Sequence, residues 1–383
     1  MTPAVQSSMR NPAGHIRSLD TLRGLAALAV ATYHAREAVG HPGLVPHAYL
    51  CVDLFFVLSG CVLDHRYGRE LREGYGVGAF MRVRIARLYP LYLVATLACI
   101  GWTVLALRSH GALRAQGPHV LGAAAFNLAL APVPPGLAFR PEQPLFPFLA
   151  QAWSILWEVT LSGVFAVWMR GGGGLGWIAA AAFALLVVGT WGGGSIDYGW
   201  TMDRAWVGGV RALLGFALGV ACRRVFVAVS ARGDRRLRLS LIAGGLAAGA
   251  AGLDYVLLDP VANRMVELLC VAALFPLLVC AVALADHGLL ANRVGDLIGG
   301  ASYSIYLLHT LVIAAMAAVA KRVLQHHPIA HADLWLALAI VAALLPLSWA
   351  SWRGLERPAQ RWMLRRPPGA ITPPPLSAVA PGA

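Results

Sequence analysis

Residues 47–64 read HAYLCVDLFFVLSGCVLD, and this stretch decides the fold class. Between its two ends the only charged side chain is Asp53. An apolar run of about 18 residues or more is typical of a helix that crosses a bilayer. Similar runs predict an all-α membrane protein with ten transmembrane helices, at about 19–39, 47–64, 88–107, 146–169, 175–192, 205–222, 239–258, 265–285, 303–320 and 334–352.

The composition of the whole chain agrees with this class. Of the 383 residues, 58% are hydrophobic and 13% are charged, and the mean hydropathy is +0.65. Charged residues make up about 25% of an ordinary soluble domain. A soluble fold of this length has too little interior to bury so many apolar side chains. The composition therefore excludes a soluble globular protein.

The positive charge predicts the orientation of the chain in the membrane. The net charge is +13 and the pI is about 10.1, and arginines are concentrated at 66–87, 223–238 and 353–366. Loops rich in arginine stay on the cytoplasmic side. We therefore take the basic balance as a sign of cytoplasmic loops rather than of nucleic-acid binding. Both termini are predicted to be cytoplasmic, and the loop at 193–203 external.

A shorter apolar segment at 118–131 is flanked by prolines. If it crossed the membrane, the arginine-rich segment 223–238 would be forced outside, so we predict that 118–131 is re-entrant or interfacial. The remaining chain divides simply. Residues 1–16 are expected to form a cytoplasmic tail, 17–362 one membrane domain, and 363–383 a Pro-rich disordered tail.

The cysteines and the first apolar run point to no other class. All six cysteines lie in or beside apolar stretches and none forms a CxxC pair, so we expect buried hydrophobic residues rather than disulfides or a metal site. The first apolar run carries polar and charged residues near its end and lacks an A-x-A cleavage site. It is therefore expected to remain as a membrane helix rather than to be removed as a signal peptide.

Ionisable side chains inside the first predicted span are functional candidates, because charge in hydrocarbon is costly. Arg23 and His34 are eleven residues apart, which places them on one helix face, about 16 Å apart along the axis. Arg23 then lies near the cytoplasmic surface and His34 in the outer half of the bilayer. Arg23 also fits a simple interfacial anchor, and His34 a cap of the outer helix end.

The second span runs from outside to inside, so that Asp53 reaches a depth similar to that of His34. A carboxylate in the membrane needs a partner, and an imidazolium is a natural one. We therefore predict a contact between His34 and Asp53. Asp53 also fits a charge at the end of its helix. The Ser59-Gly60 pair that follows would allow another helix to approach closely.

Three further groups of polar residues stand in or beside later spans. Arg84 and Arg87 lie one turn apart at the cytoplasmic face, suited to binding phosphates, although a topology signal alone gives the same pattern. Glu158 falls near the middle of the fourth span, where a carboxylate requires a partner. The ninth span begins with a polar series: Ser302, Tyr303, Tyr306 and His309. Tyr303 also fits a residue of an interfacial aromatic belt.

Taken in order, these residues resemble the acyltransferase-3 family of integral-membrane O-acyltransferases, which modify bacterial surface glycans. Two positions depart from the family pattern, since Ile155 stands where leucine is commoner and no second glutamate follows Glu158. The resemblance spans about 17–362 and rests on a series of motifs: Arg23 with His34, Phe55-Phe56 with Ser59-Gly60, Arg84-x-x-Arg87 with Pro90, Trp153-Ser154 with Glu158, Ser302-Tyr303 with Tyr306-Leu307 and His309, and Glu356-Arg357-Pro358.

The resemblance implies transfer of an acyl group, by default acetyl, from cytoplasmic acyl-CoA to a hydroxyl of a sugar or glycan at the inner membrane. It implies His34 as the general base, with Asp53 orienting its ring. A covalent acyl-His34 intermediate is also compatible with the sequence. Glu158 is counted with these catalytic residues. The CoA phosphates would be held by a cationic group: Arg23, Arg84 and Arg87.

The remaining motif residues are expected to bind substrate. Trp153 and Ser154 would shape the acceptor or acyl pocket. The route of the thioester would be lined from the ninth span, by Ser302, Tyr303, Tyr306 and His309. No metal and no permanently bound cofactor is expected. The expected partners are acyl-CoA, a hydroxyl acceptor (a glycan, a lipid-linked sugar or a small molecule) and membrane lipids, with no nucleic acid.

Two other classes of protein share several of these features. Ten helices with buried ionisable residues also describe a proton-coupled transporter, which would usually show two similar halves. No second copy of the Arg23 and His34 pattern is visible in the sequence. The other alternative is a non-enzymatic component of a glycan assembly pathway. Release of CoA from acetyl-CoA would separate the enzyme from both.

Overall fold

The computed structural model describes residues 15–38, 46–138, 144–233, 239–245, 247, 259–286, 290–324 and 332–365. In this part of the chain the structure is helical apart from an isolated β-bridge between Pro144 and Thr201, so the all-α prediction is confirmed there. The α-helices are α1 (Arg17–Ala38), α2 (Cys51–Arg72), α3 (Val77–Ser109), α4 (Leu113–Leu128), α5 (Ala152–Gly171), α6 (Leu175–Gly189), α7 (Ala205–Arg232), α8 (Pro260–Leu269), α9 (Phe275–Leu284), α10 (Arg293–Leu324), α11 (Ala332–Ser351) and α12 (Arg357–Met363).

Two π-helical turns join helices end to end. Cys270–Leu274 connects α8 to α9, and Trp352–Glu356 connects α11 to α12. Among the described residues, seven continuous helical segments are long and apolar enough to cross a membrane: Ala48–Arg72, Val77–Ser109, Ala152–Gly171, Ala205–Arg232, Pro260–Leu284, Arg293–Val319 and Trp335–Met363. Such a set of helices is that of a multi-pass membrane protein.

Most of the predicted spans coincide with these segments. The first, 19–39, corresponds to α1, which has 22 residues but is not among the seven segments, and two others differ in extent. The third predicted span, 88–107, lies inside α3, which is 33 residues long and begins at Val77. The helix α6 is apolar but has only 15 residues. The predicted span 239–258 lies largely outside the described residues. All six cysteines are buried and none forms a disulfide with another described residue, as their apolar neighbours in the sequence predicted.

The segment predicted to be re-entrant or interfacial, 118–131, belongs to the short helix α4. This helix has 16 residues, fewer than the roughly 20 that a spanning helix needs. It is held against α3 by two tyrosine hydroxyls. Tyr89 donates to the carbonyl of Leu128 at 2.8 Å, and Tyr92 donates to the carbonyl of Asn127.

The helices α1 and α10 lie side by side and run in the same direction. Near the start of each, Arg23 Nε donates to Ser302 Oγ at 2.8 Å. Further along both helices, the rings of His34 and His309 stack with their centroids 5.2 Å apart. The residue numbers of the contacting side chains increase in the same direction along both helices, so the two helices are parallel. This pairing brings the motifs of the first and ninth predicted spans into contact.

The helices α2 and α7 cross at glycines. A methyl group added to Gly60 would lie 2.1 Å from the carbonyl oxygen of Phe216, and one added to Gly219 would lie 2.1 Å from that of Val57. Both distances are far below van der Waals contact, so the two backbones come this close only because the side chains are absent. The prediction that Gly60 permits close helix packing is confirmed.

We expect Gly60→Ala to destabilise the protein by about 1–3 kcal/mol, the usual cost of forcing an extra group into packed surroundings. Thermal unfolding of the purified protein in detergent measures this effect. Gly101→Ala on α3 is the matched control, because a methyl group at Gly101 meets no atom within 4 Å. Equal melting temperatures for the two variants would contradict the close crossing of α2 and α7.

Candidate active site

A cavity opens between α1, α2, α3, α5 and α10. Its apolar walls include Phe55 and Phe56 from α2. Its polar walls come from residues of the sequence motifs, which the fold collects from five different helices. Nine of those residues line it: Arg23, Ser59, Arg84, Arg87, Ser154, Glu158, Ser302, Tyr303 and Tyr306.

The buried side chain of Arg84 is paired with Glu158. Its Nη2 donates to Glu158 Oε1 at 2.5 Å, and its Nε donates to Ser162 Oγ at 3.2 Å. Ser59 Oγ donates to the same Glu158 oxygen at 3.4 Å. The partner that a carboxylate in the fourth span requires is therefore Arg84. The Arg84 guanidinium is buried and Glu158 is partly exposed, and separating the two would leave the buried charge of Arg84 without a counter-charge.

The other two arginines of the cavity differ in how many of their N–H groups already make hydrogen bonds. Arg23 donates to Ser302 and to the carbonyl of Gly299, and it forms an ion pair with Asp20 at 2.6 Å. Arg87 is partly buried, and among the described residues its side chain has no hydrogen bond or ion pair. Its guanidinium thus keeps its donors available for an anion that enters the cavity.

A line of polar side chains leads from the cavity to His34. The hydroxyls of Tyr306 and Ser154 are 2.8 Å apart and share a hydrogen bond. The Tyr306 ring lies 6.0 Å from that of His309, which in turn stacks on His34 with 14° between the planes. At the far end, His34 Nδ1 lies 3.1 Å from Glu37 Oε2. The His34 side chain is 39% exposed and is therefore accessible from outside the cavity.

The buried ring of His309 has a defined tautomer. Its Nδ1 lies 2.7 Å from the carbonyl oxygen of Tyr306. A carbonyl only accepts, so the Nδ1 atom carries the proton, and a neutral ring then has its lone pair on Nε2. This Nε2 is fully buried and has no hydrogen-bond partner among the described residues. It can accept a hydrogen bond from a hydroxyl group brought next to it.

The expected contact between His34 and Asp53 is corrected by the structure. Both Asp53 oxygens accept from Arg211, from Nε at 3.0 Å and from Nη2 at 2.6 Å, and both side chains are fully buried. A guanidinium is a permanent cation that matches a carboxylate with two parallel hydrogen bonds, which a single imidazole nitrogen does not offer. His34 is paired instead with Glu37, one turn along its own helix.

Arg211 also holds the loop that follows α6. Its Nη1 donates to the carbonyl of Tyr198 at 2.8 Å and lies 3.4 Å from Asp197 Oδ1. Burial raises the pKa of the Asp197 carboxyl, and the charge of Arg211 acts in the opposite direction. Trp153 packs under this guanidinium at 5.3 Å and is not among the lining residues of the cavity. An arginine inside the predicted span 205–222 was the sequence signal that was missed.

Two further carboxylates are buried. Glu267 was missed in the same way, whereas Glu356 was named in the Glu356-Arg357-Pro358 motif without a structural role. Glu267 accepts from Ser195 Oγ at 3.0 Å and from the backbone amide of Ile196 at 2.5 Å, so it fixes the same loop. Glu356 ends the second π-helical turn and accepts from Ser304. Each lies in or next to an apolar segment, which was again the available signal. Both connect parts of the fold around the cavity.

Comparison with known proteins assigns the chain to a family. A family model described as "Acyltransferase domain" matches residues 16–353, which include every residue of the cavity. "Protein 2 in picA locus" of Rhizobium radiobacter is 36% identical over 161 residues, covering 39% of this chain and 80% of that protein. "Exopolysaccharide production protein ExoZ" of Rhizobium meliloti (strain 1021) is 27% identical over 290 residues, covering 74% of this chain and 82% of that protein.

No solved structure gives a significant match to the chain. The family assignment therefore stands on the family model, which extends over most of the sequence, and it confirms the resemblance read from the motifs. Together with the long apolar helices, it establishes that this chain is a multi-pass membrane protein of the acyltransferase-3 family.

Proposed function

We propose that the protein transfers an acyl group, by default acetyl, from cytoplasmic acyl-CoA to a hydroxyl group of a sugar or glycan. One observation carries the proposal. A cavity with an available guanidinium, that of Arg87, is connected through Tyr306 to a pair of stacked imidazoles, His309 and His34. An anion-binding end and a proton-accepting end joined by one path are what acyl transfer from a phosphorylated thioester donor needs.

The donor is proposed to enter with its phosphates at the arginine end. Arg87 supplies the open donors there, whereas Arg23 is already paired with Asp20 and hydrogen-bonded to Ser302, and lines the same end of the cavity. Arg84 lines the cavity without binding the donor, because its charge is already neutralised by Glu158. The pantetheine arm would then run along the side chains of α10 toward Tyr306. This places the thioester beside the hydrogen-bonded pair of Tyr306 and Ser154.

The chemistry is proposed to occur where the cavity meets the line of rings, between the Tyr306 and Ser154 pair and the two imidazoles. His34 removes the proton from the acceptor hydroxyl, and the hydroxyl oxygen attacks the thioester carbonyl. The carbon–sulfur bond then breaks, and the CoA thiolate leaves as a thiol after taking the proton from His34. Glu37 stabilises the imidazolium of His34. His309 stays neutral, because a charge on one stacked ring disfavours a charge on the other. Its Nε2 accepts a hydrogen bond that orients the acceptor. An acyl-His34 intermediate would give the same products in two steps.

The acceptor class is proposed from the relatives. One of them is named for exopolysaccharide production, which supports a polysaccharide or a lipid-linked precursor as the acceptor. We further propose the location that the arginine pattern predicts: the inner membrane, ten spans, both termini cytoplasmic and the 193–203 loop external. In this arrangement the donor enters from the cytoplasm and the exposed His34 faces the outer half of the membrane.

Release of CoA tests the proposal against a transport function. Purified protein is incubated with acetyl-CoA and a glycan acceptor, and free thiol is measured over time. The proposal requires thiol release that depends on both the protein and the acceptor. Acceptor movement across proteoliposome membranes with no thiol release would overturn the proposal in favour of a transporter.

Arg87→Ala should raise the KM for acyl-CoA by roughly ten- to a hundredfold and change kcat little. The reason is the loss of a charge-assisted contact to phosphate, worth about 1.5–3 kcal/mol. Initial rates at varied acyl-CoA concentration provide the measurement. Arg82→Ala is the control, since Arg82 is exposed and donates to the backbone carbonyls of Met363 and Arg365. An unchanged KM in Arg87→Ala would leave Arg87 as a topology signal only.

A further inference from the structure

A second pocket lies beside the cavity, between α3, α5 and the end of α4. Two residues, Leu88 of α3 and Ile155 of α5, line both the cavity and this side pocket. They are 3% and 2% exposed, so both side chains are buried. These two side chains form the partition between a polar space and a neighbouring apolar one.

The partition stands where the thioester is proposed to lie. Ile155 follows Ser154, whose hydroxyl bonds to Tyr306 at 2.8 Å. The backbone carbonyl of Leu88 accepts from the hydroxyl of Tyr303 at 2.6 Å, which ties the α3 side of the partition to α10. An acyl group that points away from the arginines would therefore meet Leu88 or Ile155.

The side pocket offers a hydrocarbon surface. Its two hydroxyl groups belong to Tyr89 and Tyr92, and both donate to backbone carbonyls at the end of α4. These hydroxyl groups already make their hydrogen bonds, so a polar ligand in the pocket would lose its hydrogen bonds with water without replacing them. Leu130 closes one wall from a left-handed backbone conformation with φ 54°, which is unfavourable for a leucine, although a glycine there would be free of strain.

We propose that Leu88 and Ile155 determine the length of the acyl group that the protein transfers, by closing off an apolar side pocket that would otherwise accept a longer chain. The inference rests on the proposed function, since it concerns the acyl group of the donor. With both side chains in place, the cavity and the side pocket are separate spaces. Removing them joins the cavity to the side pocket and extends the space for hydrocarbon.

A membrane lipid is the competing occupant of the side pocket. Ile85 on its rim is 40% exposed, so the pocket also opens toward the outer surface of the protein. A resident lipid chain would keep the space filled when the partition is removed. The preference for acyl length would then not change, and the proposal would be wrong.

The test compares kcat/KM for acetyl-, butyryl- and hexanoyl-CoA in the full-length protein, with thiol release as the readout. The wild type should favour acetyl-CoA. In Leu88→Ala/Ile155→Ala, the ratio of hexanoyl to acetyl should rise at least about tenfold, because each methylene moved from water into an apolar site favours binding about fourfold. Leu58→Ala is the control, since Leu58 lines the cavity and not the side pocket.

The outcomes separate this inference from the function beneath it. A wild type that releases CoA from no donor rejects the proposed function, and the inference with it. A wild type that uses hexanoyl-CoA as well as acetyl-CoA, or a double variant with an unchanged ratio, overturns the inference alone. If the double variant does not fold, Ile155→Val removes a single methylene, and it should shift the ratio in the same direction by a smaller factor.

Discussion

His34→Ala should lower the rate of acyl transfer by about 10²–10⁴-fold, the contribution of a positioned general base. Acyl-CoA should still bind, because Arg87 lines the cavity and His34 does not. Glu37→Gln should cause a smaller loss, since it keeps the hydrogen bond to His34 but removes the charge that supports the imidazolium. Initial rates and equilibrium binding of acyl-CoA, measured on the same preparations, separate the two effects.

His110→Ala is the control for the loss of an imidazole, since His110 is exposed just after the end of α3. A folded, membrane-inserted His34→Ala protein that works at the parent rate would reject His34 as the base. If His309→Ala alone abolished the reaction, the proton acceptor would be the buried Nε2 of His309.

Arg211→Met should destabilise the protein by about 3–5 kcal/mol, because it leaves the buried carboxylate of Asp53 without a counter-charge. Asp53→Leu should destabilise the protein by a similar amount, because it leaves the buried guanidinium of Arg211 without a counter-charge. The double variant should recover much of the loss, since a well-packed apolar pair can replace a buried ion pair. Thermal unfolding of the four proteins in detergent completes a double-mutant cycle with a large coupling.

The surface pair of Arg69 and Glu73 provides the comparison. Both of its side chains are more than half exposed, so Arg69→Ala should leave the stability nearly unchanged. Additive effects of the two changes at Arg211 and Asp53 would contradict the direct pairing. A loss at Arg211 no larger than that at Arg69 would show that the pair contributes nothing in the membrane-extracted protein.

The arrangement of the polar motifs was largely predictable from the sequence. Charges inside apolar runs marked Arg23, His34 and Glu158, and the spacing of the ninth-span motif marked Tyr306 and His309. The structure brings all of these to the cavity or to the line of rings that leads from it. Such residues stand out because membrane helices tolerate ionisable groups only where a partner or a function requires them.

The choice of partner was not predictable. Asp53 follows His34 by 19 residues in the sequence, whereas Arg211 is 158 residues from Asp53. The true pairing depends on α2 packing against α7, and the glycines that allow it, such as Gly60, do not specify which helix will approach. A sequence read along the chain favours local partners, so it assigned the carboxylate to the nearest imidazole.

The division of roles between Arg84 and Arg87 was also hidden. The two residues share a motif and a helix. Because they are three residues apart, their side chains point in different directions around the helix: Arg84 pairs with Glu158, and Arg87 is open to the cavity. Spacing shows that two side chains are near each other, but their burial is set by the neighbouring helices.

Transfer of a labelled acyl group tests the central claim most directly. Membranes that contain the protein are supplied with acetyl-CoA carrying ¹³C in its carbonyl and with the glycan acceptor, and the glycan is then examined by NMR. The account predicts ¹³C in an ester on a sugar hydroxyl with the wild type and at least about a hundredfold less with His34→Ala. CoA release without label on the glycan, or equal labelling by the two proteins, would contradict it.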